Sequence, residues 1–313
     1  MSHLEASNLY NVKGLVAVIT GGGSGLGRTM ALTLATNGAS KVFILGRREE
    51  ALNETVAQFQ NLNPSTKDTG AESNTIIPIV TDVTSQSSLE AAYATVSAQT
   101  SHVDLLLVNS GILGPPAKIV NNADGSKPSI AELKDYLWSI PMAEFTRVFE
   151  VNTTGAYYTA IAFLPLLDAA NKRRAVPQKN VLSSPLAQIV ITSSIAGYSR
   201  QVPFDFAYNL SKSSVNHLVK VLSTSLADYN IRVNGIAPGL FYSEMSANSN
   251  FVDGDKGVSD GSFPTSLIPM TRAGGEEDIA GLVLWMSGAS GGYLNGNITV
   301  LDGGRLSVLI SSY

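Results

Sequence analysis

Few folds can use a run such as Gly21-Gly22-Gly23-Ser24-Gly25-Leu26-Gly27 between two regular elements. Before it, Leu15-Val16-Ala17-Val18-Ile19-Thr20 is short, apolar and β-branched, the pattern of a strand buried on both faces. After it, residues 28–37 carry a helical pattern. Strand, glycine-rich turn and helix together make a place for a phosphate. Glycines let the backbone approach a ligand, and a helix N-terminus offers unpaired N–H groups and partial positive charge. A merely flexible turn would need neither flank. Gly21, Gly23, Ser24, Gly25, Leu26 and Gly27 are therefore candidate dinucleotide contacts.

The second strand, Lys41-Val42-Phe43-Ile44-Leu45, ends in Gly46-Arg47-Arg48. A dinucleotide fold places its ribose-reading residue about 20 positions beyond the glycine turn, and 47 − 27 = 20 reaches Arg47. An acid there would take the ribose hydroxyls of NAD, but none occurs before Glu49. Two guanidiniums suit a 2′-phosphate instead. A solvated basic helix start is the alternative, and it runs against the preference of helix N-termini for acids. Arg47 and Arg48 thus point to NADP(H) in preference to NAD(H).

The rest of the chain alternates strand and helix. Strands are expected at 75–80, 103–108, 187–192, 231–236 and 297–301, and helices at 51–62, 88–98, 141–167, 206–229 and 276–286. This order predicts an α/β fold of the Rossmann type: a doubly wound, seven-stranded parallel sheet with helices on both faces. Pro78 marks its strand as an edge or an irregular stretch. Asp82-Val83 follows that strand, where Asp82 has two readings, an adenine contact or a cap for the next helix. Ser129-Ile130-Ala131-Glu132 is a capping-box pattern opening a short helix. Pro165 is expected to kink or end the 141–167 helix. Residues 171–185 read as a polar, basic surface loop. No repeat or linker divides the 313 residues, so one domain is expected.

Composition narrows the function. A net charge of −4 gives no basic footprint for nucleic acid. The absence of cysteine excludes disulfides and thiol chemistry, and three scattered histidines do not suggest a metal cluster. No apolar run approaches the roughly 20 residues that span a bilayer, and residues 1–13 lack a signal core. A soluble, cytoplasmic protein without a membrane partner is expected.

Tyr208 and Lys212 stand four apart in Ala207-Tyr208-Asn209-Leu210-Ser211-Lys212, on one face of a helix. A tyrosine is normally too weak an acid to exchange protons at neutral pH, with a pKa of about 10. A neighbouring ammonium favours the phenolate and lowers that value, which would make a general acid/base. A solvated lysine beside a half-buried tyrosine has the same spacing, so the pair alone decides nothing.

In series, these motifs resemble the classical short-chain dehydrogenase/reductase family over about residues 13–304. Thr20-Gly21-x-x-x-Gly25-x-Gly27 matches its cofactor turn, and Asp82, Asn109-Ser110-Gly111, Asn152, Ser194, Tyr208-x-x-x-Lys212 and Pro238-Gly239 follow in family order. The stretch 193–212 is most similar to fungal members. Three departures stand out. Val108 replaces an asparagine, a change that would loosen a contact steadying the central strand. The interval from Ser194 to Tyr208 is one residue longer than the pattern, which leaves Ser193 as a rival. Residues 112–140 form an insertion.

The resemblance implies hydride transfer between a nicotinamide and a carbonyl or alcohol carbon of a small molecule. Tyr208 would protonate the oxygen, and Ser194 would hydrogen-bond it. Lys212 would lower the Tyr208 pKa and hold the nicotinamide ribose. Asn152 would hold a water leading to Lys212. Val83, Asn109, Gly111, Pro238 and Gly239 would touch the cofactor. The resemblance also implies a homodimer or homotetramer built on the helices carrying Asn152 and Tyr208. Residues 240–270 are expected to hold a substrate lid, its small polar loop at 243–265. One rival is a dinucleotide sensor without turnover, which would have no need of the acid/base pair. Another is an NAD-linked alcohol dehydrogenase, which would want an acid at position 46. Gly46→Asp with Arg47→Ala should reverse the coenzyme preference, adding a ribose acceptor while removing a phosphate partner. Each lost charge-assisted contact is worth about 1.5–3 kcal/mol, so dissociation constants for NADPH and NADH should change about ten- to a hundred-fold.

Overall fold

The computed structural model describes residues 2–62, 75–116, 121, 125–175, 185–202, 205–241 and 263–313. Seven strands form one sheet: β1 (Val16–Thr20), β2 (Lys41–Gly46), β3 (Ile76–Val80), β4 (Leu105–Val108), β5 (Gln188–Thr192), β6 (Arg232–Pro238) and β7 (Ile298–Leu301). Their order is β3-β2-β1-β4-β5-β6-β7, and every pairing is parallel. The expected architecture is present.

Alternation along each strand builds two cores. Val16 and Val18 face one side with Phe43, Leu106 and Ile189, under helices α4 (Gln86–Ser97), α7 (Gly155–Ala162), α8 (Leu164–Lys172) and α9 (Phe206–Ser225). Ala17 and Ile19 face the other with Val42 and Ile44, under α2 (Gly25–Thr36), α3 (Glu49–Leu62) and α10 (Glu276–Ser287). All five β1 residues are buried, as a strand covered on both faces must be. Pro78 sits in β3 opposite Ile44, on the sheet edge, where its missing N–H breaks no ladder. Before the sheet lies a short helix, α1 (Ala6–Leu9).

Several helices depart from the sequence reading. α2 starts at Gly25, three residues earlier than expected, because the glycines that weaken the helical pattern form its first turn. α5 (Ile130–Trp138) has the expected box: Ser129 Oγ accepts from Glu132 N–H, and Glu132 accepts from Ser129 N–H. The single helix expected at 141–167 is three. α6 (Met142–Phe149) passes through a π-helical turn, Glu150–Thr154, into α7, and the path breaks at Phe163. Pro165 does not end a helix; it lies in the first turn of α8, where a missing N–H costs nothing. α8 continues to Lys172, so the expected surface loop begins later, and residues 176–184 lie outside the described residues. α9 ends at Ser225, followed by a 3₁₀ turn, Ala227–Tyr229. Most of the expected lid, residues 242–262, also lies outside the described residues. On α7 and α9, Tyr157, Tyr158, Leu210 and Val221 are exposed. Among the described residues, no helix is long and apolar enough to cross a membrane.

The strand order reverses between β1 and β4, opening a crevice at the C-terminal edge. Two glycines of the turn are fixed by geometry there. Gly21 has φ +69°, and a Cβ on Gly27 would stand 2.1 Å from Gly21 O and 2.6 Å from Asn109 Nδ2. Gly27→Ala should therefore lower stability by at least the about 1–3 kcal/mol typical of overpacking. Gly281, in α10, has nothing within 4 Å of such a Cβ. Gly281→Ala should instead stabilise by about 0.5–1 kcal/mol through helix propensity. Urea midpoints of the two variants test the contrast.

Candidate active site

The ends of β1, β2, β4, β5 and β6 converge on one cleft of about 560 Å³. It runs from Arg47 and Arg48, past Gly21, Ser24, Gly25 and Leu26, to Asn109, Gly111, Ser194, Tyr208, Lys212, Pro238 and Gly239. A side pocket of about 160 Å³ adds Gly23, Asp82 and Val83 between the arginines and Gly111. A separate cavity of about 400 Å³, smaller than the cleft, lies around Lys13, Asp104 and Arg232 and contains none of the expected site residues. Of the expected residues, Gly27 and Asn152 do not line the cleft. Gly27 packs the turn, and Asn152 braces the cleft from behind.

At one end, the turn meets the first turn of α2, where the first intrahelical amide bond is Arg28 N–H to Ser24 O, 3.2 Å. The amides before it are without intrahelical partners, as at any helix start. Arg28 braces the turn from beneath, donating from Nη2 to Gly23 O at 2.5 Å and to Glu54 at 2.8 Å. Arg48 reaches over it to Ser24 Oγ at 3.2 Å. Arg47 and Arg48 are both exposed on the rim. Asp82 does not cap the next helix, because Ser85 does so by accepting from Ser88 N–H. Asp82 Oδ1 instead accepts from the Thr84 amide (2.9 Å) and hydroxyl (2.7 Å). The Thr84 amide, then its hydroxyl and the guanidiniums of Arg47 and Arg147, hold the Asp82 carboxyl below its ordinary value against partial burial.

At the other end, Tyr208 is 8% exposed and Lys212 3%. Lys212 Nζ donates to Thr192 O at 2.8 Å and lies 5.7 Å from the Tyr208 ring centre. Ser194 caps the 3₁₀ turn Ile195–Gly197, accepting from Ala196 N–H at 3.1 Å, and its hydroxyl lies close enough to Tyr208 to lower the phenol's pKa. Ser193 turns the other way: its hydroxyl contacts Lys212 O (3.1 Å) and Asn216 Oδ1 (2.5 Å), inside the helix packing. Asn152 sits in the π-helical turn. It accepts from Ile112 N–H at 2.8 Å and donates to Ile112 O and Ser211 Oγ, both at 3.0 Å. Ser211 in turn donates to Tyr208 O at 2.8 Å.

The expected lowering of the tyrosine by its lysine neighbour does not prevail. Burial pushes Tyr208 up to about 12, with the Ser194 hydroxyl pulling it down and the Asp205 charge pushing it further up. Burial also pushes Lys212 down, to about 8. Both charged forms lose water when buried, and the lysine donates its hydrogen bond to the Thr192 carbonyl rather than to the phenol.

The sequence reading named Thr20 only within the glycine-turn motif and passed over Thr192, Asp205 and Ser211. Asp205 has a local signal, an acid just before a helix. Thr192 and Ser211 act through the fold and have none.

The cleft suits a nicotinamide dinucleotide. A glycine turn and a helix start face its middle, two guanidiniums stand at one end, and Lys212 and the Ser194–Tyr208 pair lie at the other. Gly111 allows the close approach, since a Cβ there would be 3.3 Å from Asn152 Oδ1 and 3.4 Å from Lys212 Nζ.

Comparison with known proteins agrees. A family profile described as short chain dehydrogenase matches residues 15–252. The short-chain dehydrogenase/reductase PhomF of Diaporthe leptostromiformis is 40% identical over 311 residues, 99% of this chain and 97% of that one. VdtF of Byssochlamys spectabilis, of the same description, is 36% identical, covering 99% and 98%. Among solved structures, the Pseudomonas aeruginosa RhlG/NADP active-site complex superposes with a TM-score of 0.72 at 26% identity, covering 95% and 98%.

Lys212 has a consequence for stability. Its pKa falls from 10.5 in the unfolded chain to about 8 in the fold. Between those values the unfolded chain binds more protons, so stability rises with pH through this window. Relative to Lys212→Met, the parent should gain up to about 3 kcal/mol from pH 8 to 10.5, at about 1.4 kcal/mol per unit. Urea denaturation of both proteins at the two pH values checks it.

Proposed function

The chain belongs to the short-chain dehydrogenase family, and we propose that within it the protein is an NADP(H)-dependent reductase of a small-molecule carbonyl. The observation that carries this reading is the meeting of Ser194, Tyr208 and Lys212 in the cleft that also holds the glycine turn. A sensor would have no use for that trio. Arg47 and Arg48, with Gly46 in place of an acid, support the 2′-phosphate of NADP(H).

Bound NADPH would supply hydride to the carbonyl carbon. The chain's own residues do the rest. The substrate oxygen would take the place between the Ser194 and Tyr208 hydroxyls. Ser194 donates a hydrogen bond that strengthens as charge builds on that oxygen. Tyr208 then releases its proton to it. A phenol pushed up to about 12 is fully protonated at neutral pH, which suits the reductive direction. Lys212, with a value of about 8, keeps its ammonium at neutral pH and can hold ribose hydroxyls. Asn152 would keep the loop after β4 and the helix in register, and its remaining lone pair is available to a water. Ile112, Leu113, Leu240 and Phe241 give the substrate end an apolar wall.

Tyr208→Phe keeps the ring and removes the transferable proton. NADPH-driven turnover with a panel of ketones, 3-oxoacyl thioesters and quinones should fall by about a hundred-fold or more, while NADPH binding by fluorescence titration is retained. Ser194→Ala should lose far more activity than Ser193→Ala. Parent-like turnover in Tyr208→Phe would remove that residue from the mechanism.

A further inference from the structure

Two tethers join the catalytic helix to the loop beyond β4. Asn152 makes one, at Ile112. Asp205 makes the other, and nothing in the proposed chemistry requires it. Asp205 is the N-cap of α9, with Oδ1 accepting from Tyr208 N–H at 2.5 Å. Its second oxygen, Oδ2, accepts from Gly114 N–H at 2.9 Å, a residue 91 positions away. The residue is 1% exposed. Serine or threonine caps a helix as well as aspartate does. Neither can take a second amide from a distant loop with a second oxygen. Burying a carboxylate is costly unless it is hydrogen-bonded, so an ordinary cap would have no need of one here.

Gly114 is shaped to the contact. A Cβ on it would stand 2.5 Å from Asp205 Oδ1, closer than side-chain carbons come. Ile112 and Leu113, just before it, line the cleft beside Tyr208. The acid therefore ties the first turn of the helix that carries Tyr208 to the wall that would face substrate.

We propose that Asp205 is a positioning residue for proton transfer: it locks the start of the catalytic helix to the β4 loop and places a carboxylate charge at the backbone amide of Tyr208. That charge opposes phenolate formation and keeps the proton on Tyr208 until a substrate oxygen takes it. The groups acting on the phenol do not all pull the same way, and Asp205 acts with burial. Burial raises its pKa first, the Ser194 hydroxyl from the end of β5 lowers it, and the Asp205 charge raises it. Lys212 faces the ring from the same helix. The Asp205 carboxyl is raised by its own burial and lowered by the amides of Tyr208 and Gly114.

The inference rests on Tyr208 as the acid, so its test includes a readout that needs no turnover. Asp205→Ser keeps the cap but loses the charge and the second oxygen. Asp205→Asn keeps Oδ1 and presents Gly114 with a nitrogen that cannot accept. Both should fold and bind NADPH, with thermal melting as the control. In each, kcat should fall about ten- to a hundred-fold, as small misplacements of reacting groups do, with KM changed less. The ring-carbon resonance of Tyr208, in protein carrying ¹³C-tyrosine and assigned by its absence in Tyr208→Phe, should begin to titrate at lower pH than in the parent. A titration that does not move in either folded variant overturns the proposal and leaves Asp205 a plain cap. A titration that moves in a protein that reduces no carbonyl supports Asp205 and counts against the proposed activity instead.

Discussion

Across the split between β1 and β4, the Thr20 hydroxyl oxygen accepts the amide hydrogens of Asn109 (2.9 Å) and Ser110 (3.1 Å). The site hangs on that junction. It sets the end of β4 against the glycine turn, where the Asn109 side chain fills the space beside Gly21 and Gly27. The next residues, Gly111 and Ile112, then meet Asn152, which meets Ser211, which meets the Tyr208 carbonyl. A run of contacts thus connects the glycine-turn end of the cleft to the helix that carries Tyr208. Val108, where the resemblance expects asparagine, packs into the core at 2% exposure, so the polar link between these strands lies with Thr20.

What was readable in the sequence is what local physics decides. A strand buried on both faces must be apolar throughout, as β1 is, and the other six were legible as short runs between turn signals. Proline at an edge and Ser-x-x-Glu at a helix start have local causes, so Pro78 and Ser129 were legible too. The π-helical turn at Asn152 was not, because it exists to aim one amide at Ile112, a partner 40 positions away. Pro165 misled because the same residue that stops one helix suits the first turn of another. Among the site residues, Ser193 and Ser194 could not be separated by spacing. The separation comes from which way each hydroxyl turns, one to Asn216 and the other to Tyr208. Asp205 carried the signal of a cap, and its second bond belongs to the tertiary structure.

The pairing of Tyr208 with Lys212 shows the same limit in electrostatics. From sequence, an ammonium one turn away should lower the phenol. In the fold, both groups are deep, and loss of water weighs more than their mutual attraction. The two shifts oppose each other in what they demand: the phenol is driven to keep its proton and the ammonium to lose one. Near neutral pH each still holds its proton, which is the starting state that the proposed reduction requires.

The two ends of the cleft are therefore governed by different physics. Arg47 and Arg48 stand in water, where salt screens charges over about 8–10 Å and a single substitution acts nearly alone. Under the proposed function, coenzyme choice at that end would follow from which exposed charges face the ribose, and substitutions there would leave the sheet undisturbed. Tyr208 and Lys212 stand out of water, where screening is weak and the neighbours are few and fixed. The Tyr208 phenol answers to what is buried with it, Ser194 and Asp205 included, and those residues also hold the backbone in place. The proposed acid chemistry is thus bound to the architecture of α9 and the β4 loop, while the proposed coenzyme preference is separable from it.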